Sequence, residues 1–203
     1  MTKRSARAGE EERRIALYGG VFDPVHNAHL SVARAALEEA ALDGVVFIPA
    51  ACSPHKKGGP LAADEERLAM LYAATAGEPA FRVDACELER GGVSFSVDTA
   101  ARFRAEFPGA RLFWIIGADQ WERLPDWHRI GELSALVEFL VVARPGYRLE
   151  PSSWPGLRHS RVAAPLLPDS SSGVRERVAA GRAVTGLVDP AVEAFISANN
   201  LYK

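Results

Sequence analysis

Short runs of apolar residues alternate along the chain with longer segments of helical periodicity. Most of the runs end at glycine or proline and show no polar alternation, which is typical of strands buried on both faces. Five such runs predict strands: Ile15–Tyr18, Val45–Ile48, Phe81–Val83, Leu112–Ile116 and Phe139–Val142. Apolar residues at helical spacing predict helices at about 30–41, 64–76, 96–107, 172–180 and 190–199.

The pattern also predicts which side chains pack inside. In the helix at 64–76, we expect an apolar face formed by Leu68, Leu71, Tyr72 and Thr75. Trp114 lies within a predicted strand and Trp121 follows soon after it, so both are assigned to the core. Cys52 and Cys86 carry no pattern that distinguishes them from ordinary packing residues.

Strands that alternate with amphipathic helices indicate β-α-β units. We therefore predict an α/β fold with a Rossmann-like parallel sheet, helices on both faces and a C-terminal helical extension at about 168–203. Residues 147–168, rich in proline and serine, are interpreted as an irregular connection. Residues 1–14 are polar and charged and are interpreted as a disordered tail, which leaves 15–203 as one domain.

Composition narrows the class of protein. With 48% hydrophobic and 25% charged residues, the chain has the profile of a globular protein. A formal net charge of -2 gives no general electrostatic reason to bind nucleic acid or an anionic membrane. No apolar run has the length of a membrane span. Two cysteines far apart in sequence do not form a disulfide framework, so we expect a reduced, cytoplasmic setting.

Polar residues follow the ends of the predicted strands. They lie at 19–29 after the first strand, at 53–57 after the second, at 117–119 after the fourth and at Arg144 after the fifth. Parallel sheets of this kind bind ligands at the carboxyl ends of their strands, where the strand order reverses. The sequence therefore predicts that these four segments converge on one site.

The first of these segments carries the most chemistry. Gly19 and Gly20 allow the backbone to turn tightly and to approach a ligand closely. His26 and His29 stand three residues apart at the expected start of a helix, where backbone N–H groups and the helix dipole favour an anion. Phosphate binding is thus one interpretation, and histidines that only cap or pack are another. Zinc binding is disfavoured because the spacing departs from H-E-x-x-H, and an ordinary NAD-binding dehydrogenase is disfavoured because G-x-G-x-x-G is absent.

The same segment carries a family resemblance. It reads Gly-Gly-Val-Phe-Asp-Pro-Val-His-Asn-Ala-His and resembles the signature of the HxGH nucleotidyltransferase superfamily. Within that superfamily, the chain from about residue 15 onwards is most similar to bacterial nicotinate-nucleotide adenylyltransferases. Further matching stretches are Ser53–Lys56, Glu66–Leu71, Glu87–Arg90, Ser94–Ser96, Trp114–Asp119, Leu124–Trp127, Ala143–Tyr147 and Asn200–Lys203. Two positions depart from the family pattern: Ala28 replaces a glycine, and Asp169 replaces an apolar residue.

The resemblance implies adenylyl transfer from ATP to nicotinate mononucleotide, in the synthesis of a pyridine dinucleotide. It assigns catalysis to His26, His29, Lys56 and Arg175. It assigns ATP binding to Gly19, Gly20, Phe22, His26, His29, Gly117, Asp119, Arg144, Ser170, Ser171, Ser172 and Arg175. It assigns nicotinate-nucleotide binding to His55, Lys56, Ser96, Trp127 and His128, with stacking on Trp127 and backbone N–H groups at Ser96 and His128. Mg²⁺ is expected as a companion of ATP, held mainly through its phosphates rather than by protein ligands.

Several alternatives stay open. Trp127 could be a core residue, Ser170–Ser172 could simply cap a helix, and Lys56–Lys57 could be a solvated pair. The acceptor could be nicotinamide mononucleotide, phosphopantetheine or another phosphorylated molecule. A non-enzymatic nucleotide-binding regulator is a rival from another class, although retention of His26, His29 and Arg175 argues against it. The sequence does not give the oligomeric state.

Overall fold

A six-stranded parallel sheet forms the centre of the computed structural model, which describes residues 12–54, 58–142, 154, 156–165, 167 and 170–203. The strands lie in the order β3-β2-β1-β4-β5-β6. Their bounds are Arg14–Gly20 (β1), Gly44–Pro49 (β2), Phe81–Val83 (β3), Arg111–Gly117 (β4), Glu138–Val142 (β5) and His159–Val162 (β6). Every adjacent pair is parallel, so the predicted sheet type is confirmed.

Helices connect the strands and cover both faces of the sheet. Their bounds are Asn27–Glu39 (α1), Asp64–Thr75 (α2), Cys86–Arg90 (α3), Ser96–Glu106 (α4), Ala118–Glu122 (α5), Ile130–Leu136 (α6), Ser171–Ala179 (α7) and Pro190–Ala198 (α8). A 3₁₀ turn lies at Leu124–Asp126. Among the described residues, no helix combines the length and apolarity needed to cross a membrane.

Alternate side chains of the strands feed two separate cores. In β4, Phe113 and Ile115 join the core beneath α1, α2 and α8, whereas Leu112, Trp114 and Ile116 join the core beneath α4 and α6. Burial on both faces explains why the strand sequences read as continuous apolar runs. Trp114 and Trp121 are both buried, as predicted.

The strand at the far edge was missed by the sequence pattern. β6 falls inside the segment 147–168 that we interpreted as irregular, so that interpretation is wrong for His159–Val162. An edge strand pairs on one side only, and three of these four residues are exposed. Without two buried faces, the segment has no apolar run to reveal it.

The buried face of α2 differs from the predicted one. Tyr72 is 53% exposed, and the residues that face the core are Arg67, Met70, Leu71, Ala74 and Thr75. The prediction was right for Leu71 and Thr75 and wrong for Tyr72, while Leu68 is only half-buried. Arg67 has 0% exposure, since its guanidinium bonds backbone carbonyls of two loops.

The order of the sheet reverses between β1 and β4. Strands β2 and β3 continue on one side of β1, and β5 and β6 continue on the other side of β4. A crevice at the carboxyl ends of the strands is expected at such a reversal. The proposed tail at 1–14 lies largely outside the described residues, although Arg14 already belongs to β1.

Candidate active site

A cavity of about 1270 Å³ opens at the carboxyl ends of β1 and β4. Its volume exceeds that of an ordinary small-ligand pocket and leaves room for two nucleotides. Every predicted site residue within the described part of the chain lines it. These residues are Gly19, Gly20, Phe22, His26, His29, Ser96, Gly117, Asp119, Trp127, His128, Ser170, Ser171, Ser172 and Arg175.

Three predicted site residues cannot be placed in this cavity. His55, Lys56 and Arg144 lie outside the described residues, as does the departure at Asp169. The other departure, Ala28, lies in the first turn of α1 and lines the cavity.

The glycine pair after β1 makes room for aromatic packing. A Cβ on Gly20 would lie 2.9 Å from Cζ of Phe22, and one on Gly19 would lie 3.2 Å from Cζ2 of Trp114. The Phe22 side chain is almost wholly buried, with its ring 5.0 Å from the His29 ring. Phe22 therefore supports His29 by packing, and its backbone is the part that can meet a ligand.

His26 and His29 lie against each other at the start of α1. Their ring centroids are 3.7 Å apart, which confirms that they share one face. The His26 backbone N–H donates to His29 Nδ1 at 3.2 Å. Because Nδ1 accepts this bond, a neutral His29 carries its proton on Nε2. An Nε2–H group is a suitable donor to a phosphate oxygen.

A buried arginine fixes the loops on which the histidines stand. Arg67 Nη1 donates to the Val21 carbonyl at 2.7 Å and to the Ala50 carbonyl at 2.9 Å. Its Nη2 donates to Asp64 at 2.6 Å. One side chain thus joins the loop after β1 to the loop after β2. It supplies hydrogen-bond donors to two carbonyls that would otherwise lack a partner.

The start of α7 forms one wall of the cavity, and hydrogen bonds tie the C-terminal extension to the segment beside it. Asn27 at the start of α1 donates from its backbone to the Leu187 carbonyl and from its side chain to the Gly186 carbonyl. Ser171 Oγ donates to the Pro24 carbonyl at 2.9 Å. The extension is therefore built into the site through the segment between β1 and α1.

The serines at the start of α7 have separate partners. Ser170 is the N-cap and accepts from the Gly173 backbone N–H at 3.0 Å, so the capping interpretation is confirmed for this residue. Ser172 Oγ accepts from Arg175 Nη2 at 3.3 Å. The first turn of α7 therefore brings hydroxyls, backbone N–H groups and a guanidinium to one corner of the cavity, a combination that suits phosphate oxygens.

Aromatic residues line the opposite side. Trp127 follows the 3₁₀ turn and is half-buried: it packs against the core that contains Trp114 and also lines the cavity. The ring of His128 lies 4.2 Å from that of Phe95. Ser96, the first residue of α4, follows directly. A flat ring bound here would meet the indole of Trp127.

A buried carboxylate lies beneath this side of the cavity. Glu87 is 3% exposed and accepts from Thr99 Oγ1 at 2.6 Å. Burial raises the pKa of Glu87, although hydrogen bonds from Thr99 and Ser94 and the charge of Arg90 oppose that rise. Ser94 Oγ also accepts from the Ala51 backbone N–H at 3.1 Å, which connects the carboxylate to the loop after β2.

Asp119 and Gly117 lie between the two sides. Gly117 ends β4 and Asp119 is in the first turn of α5, with its Oδ2 3.4 Å from Gln120 Nε2. Among the described residues that line the cavity, the cationic side chains are Arg123 and Arg175. Within the same part of the chain, no group of three histidine, cysteine or acidic side chains is arranged to hold a metal ion.

Sequence reasoning missed two residues that line the cavity, Asp23 and Glu87, and one that contacts the first of them, Tyr202. Asp23 was noted only within the family signature, yet its carboxylate accepts hydrogen bonds from two loop N–H groups and from the Tyr202 hydroxyl. Glu87 and Tyr202 were noted only within stretches that match a family. Each is distinguished by contacts between segments distant in sequence, and their only sequence signal was their position in stretches that match the family.

The chain was compared with known proteins. A cytidylyltransferase-like family model matches residues 17–177. The chain is 40% identical over 189 residues to a probable nicotinate-nucleotide adenylyltransferase of Geobacillus thermodenitrificans, a match that covers 93% of this chain and 86% of the relative. It is 35% identical over 191 residues to the nicotinate-nucleotide adenylyltransferase of Bacillus subtilis, covering 94% and 99%.

A solved structure shares the fold. The nicotinic acid mononucleotide adenylyltransferase of Plasmodium falciparum, complexed with NaAD, matches with a TM-score of 0.77 at 18% identity, covering 94% of this chain and 98% of that one. Together with the family model and the sequence relatives, this likeness confirms the resemblance found in the sequence. The chain belongs to the cytidylyltransferase-like superfamily and, within it, to the nicotinate-nucleotide adenylyltransferase family.

Proposed function

We propose that the protein transfers AMP from ATP to nicotinate mononucleotide, giving nicotinate adenine dinucleotide and pyrophosphate. The observation that carries the proposal is the single cavity that brings together His26, His29, the start of α7 and Trp127. One side of it suits a triphosphate and the other suits an aromatic ring. The relatives named above support this assignment, and those of Bacillus and Geobacillus match nearly the whole chain.

The triphosphate binds between the histidines and α7. His26 and His29 contact the α-phosphate region, where charge develops during the transfer. The backbone N–H groups and hydroxyls of Ser170–Ser172 contact the β- and γ-phosphates, and Arg175 holds the pyrophosphate as it leaves. Gly117 and Asp119 meet the nucleoside, with the carboxylate accepting from a ribose hydroxyl. Lys56 and Arg144, which lie outside the described residues, are assigned to the same anions.

The reaction needs alignment more than activation. The phosphate of a mononucleotide is largely dianionic at pH 7, because its second pKa is about 6. One of its oxygens attacks the α-phosphorus in line, the bond from that phosphorus to the bridging oxygen breaks, and pyrophosphate departs with the electron pair. No protein nucleophile or covalent intermediate is required. The site contributes by positioning both reactants and by stabilising the charge on the transferring group.

Trp127 and its surroundings bind the acceptor. The indole stacks on the pyridine ring, and backbone N–H groups at Ser96 and His128 donate to the nicotinate carboxylate. An amide in place of that carboxylate would bring its own N–H groups to backbone donors. The pairing therefore favours the acid over nicotinamide mononucleotide. His55, outside the described residues, is assigned to the acceptor phosphate.

A divalent cation enters with ATP. Asp119 and the α7 hydroxyls bring oxygen groups to the cavity. We assign a Mg²⁺ ion mainly to phosphate oxygens and water, the ligands that this ion usually keeps. When bound, the ion would neutralise charge on the phosphates. His26, His29 and Arg175 supply the remaining donors.

Pyrophosphate release tests the proposal. The protein is incubated with ATP and Mg²⁺ and with either nicotinate mononucleotide or nicotinamide mononucleotide. Rapid release with the acid and slow release with the amide is the expected result, and comparable rates would remove the assignment of the carboxylate. Release with neither acceptor would refute transfer to a pyridine mononucleotide.

A variant pair locates the acceptor. Trp127→Ala should raise the KM for nicotinate mononucleotide by about tenfold or more while leaving the KM for ATP within about twofold, because stacking on the ring is lost. Trp154→Ala is the matched control, since Trp154 is exposed and does not line the cavity. A larger change in the KM for ATP would place the ring elsewhere.

A further inference from the structure

The last turn of the chain reaches the phosphate side of the cavity. Tyr202 follows α8, and its hydroxyl donates to Asp23 Oδ1 at 2.7 Å across 179 positions of sequence. Burial raises the pKa of Tyr202, and the neighbouring Asp23 carboxylate raises it further. The phenol therefore stays protonated and acts as a permanent donor.

Asp23 is a hub of hydrogen bonds. Asp23 is 4% exposed. Its carboxylate accepts hydrogen bonds from the backbone N–H groups of Leu61 at 2.7 Å and Ala62 at 3.2 Å, and from the Tyr202 hydroxyl. These three donors come from the loop before α2 and from the C-terminal turn. Asp23 lines a cavity that we assign to anionic phosphates. The three hydrogen bonds stabilise its negative charge there.

Arg175 is the cation that faces this hub. Its Nη1 donates to the Asp23 backbone carbonyl at 2.7 Å but lies 3.9 Å from carboxylate Oδ2. The guanidinium is thus held beside the carboxylate without a direct hydrogen bond to it. Arg175 Nη2 donates to Ser172 Oγ instead of to Asp23, and the arginine lines the cavity.

We propose that Tyr202 is a positioning residue for adenylyl transfer: its hydroxyl satisfies the Asp23 carboxylate and so keeps Arg175 available for the departing pyrophosphate. The inference deepens the proposed function and rests on it. If the hydroxyl is absent, Asp23 lacks one donor and attracts the nearest cation, which is Arg175. The arginine then pairs with the carboxylate instead of with the leaving group. A Tyr202 that merely fastens the C-terminus would act on folding and not on turnover.

Tyr202→Phe removes the hydroxyl and keeps the ring. We expect kcat to fall about tenfold while the KM for nicotinate mononucleotide stays within about twofold, since the acceptor binds on the other side of the cavity. Tyr72→Phe is the matched control, because Tyr72 is exposed on α2. Assays run well below the midpoint of thermal unfolding of each variant, so that both remain folded.

A double-mutant cycle separates positioning from fastening. In an Arg175→Ala background, the effect of Tyr202→Phe on kcat should shrink to about twofold or less, because the group through which Tyr202 acts is gone. An equal fall in both backgrounds would overturn the proposal. So would a lower unfolding midpoint with an unchanged kcat.

A binding measurement keeps this inference distinct from the proposed function. A non-hydrolysable ATP analogue is titrated by calorimetry, which requires neither the acceptor nor turnover. Tyr202→Phe should weaken its binding about fivefold in the parent and much less in Arg175→Ala. Unchanged affinity in the parent would overturn the role of Tyr202, even if no acceptor were found. Weakened affinity in a protein that transfers nothing to nicotinate mononucleotide would refute the proposed acceptor alone.

Discussion

The ring of Phe22 fills the space that a side chain on Gly20 would need. A Cβ added to Gly20 would lie 2.9 Å from Cζ of Phe22, which is closer than the normal contact distance of two non-bonded carbon atoms. The same ring lies 5.0 Å from the ring of His29. Gly20, Phe22 and His29 are therefore packed in series, and a change at the glycine is transmitted to the histidine.

Gly20→Ala should lower kcat by about tenfold or more, because the displaced Phe22 ring moves His29 out of alignment with the α-phosphate. Steady-state rates of pyrophosphate release measure the effect. Gly77→Ala is the control, since a Cβ there would meet no atom within 4 Å. Equal activity of the two variants would show that Phe22 does not hold His29 in place.

His29→Ala should lower kcat by about a hundredfold or more, as expected for the loss of a donor to charge that develops in the transition state. The free energy of unfolding should fall by only about 1 kcal/mol, because His29 is half-buried and its ring accepts one capping hydrogen bond, from the His26 N–H. His29→Asn should recover part of the activity, since its amide can donate a hydrogen bond.

His159→Ala is the control for that pair, because His159 is exposed on β6 and does not line the cavity. Near-normal turnover of His29→Ala would remove the histidine from the mechanism.

Much of the fold followed from the sequence because the central strands are buried on both faces. Phe81–Val83 and the start of the helix at Asp64 were predicted to the residue. β6 was missed because an edge strand such as His159–Val162 does not need apolar residues on both faces. The short helices α3, α5 and α6 were missed because five to seven residues span too few turns to show a helical period.

The sequence predicted those residues of the candidate site whose positions follow from the topology of the sheet. The rule that parallel strands end at a common edge brought Gly20, Ser53 and Gly117 into one cavity. No such rule joins Tyr202 to Asp23, because that contact depends on how the C-terminal extension packs. The burial of Arg67 was likewise hidden, since its partners are backbone carbonyls that carry no sequence signal.

Arg67→Met should destabilise the protein by about 3 kcal/mol, because the Val21 and Ala50 carbonyls would remain buried without donors. Urea denaturation measures the change. Arg34→Met is the control: Arg34 pairs with Glu78 at the surface, where such a pair contributes about 0–1 kcal/mol. A loss at Arg67 no larger than that at Arg34 would contradict the scaffolding role.

Glu87→Gln should remove a pH dependence of stability. Burial raises the pKa of Glu87 in the folded protein above its value in the unfolded chain, near about 4.3. The stability linked to this proton is complete below that value and is lost as the pH rises through the folded pKa. The unfolding midpoint of Glu87→Gln minus that of the parent should therefore increase between about pH 4 and pH 8.

Glu89→Gln is the control for this series, because Glu89 lies on the same helix and is exposed. Its midpoint should follow that of the parent at every pH. A constant difference between Glu87→Gln and the parent would show that Glu87 takes up no proton in this range.

The two cysteines should differ sharply in reactivity. Burial raises the pKa of Cys86 to about 12, and a hydrogen bond with Asp84 contributes to the rise, so at pH 8 only roughly one thiol in ten thousand is ionised. Cys52 is exposed and lines the cavity. Iodoacetamide should therefore label Cys52 in the folded protein and reach Cys86 only after unfolding, as followed by mass spectrometry of the peptides. A saturating ATP analogue together with nicotinate mononucleotide should slow the labelling of Cys52, because the occupied cavity restricts access. Labelling of both cysteines at similar rates in the folded protein would contradict the burial of Cys86.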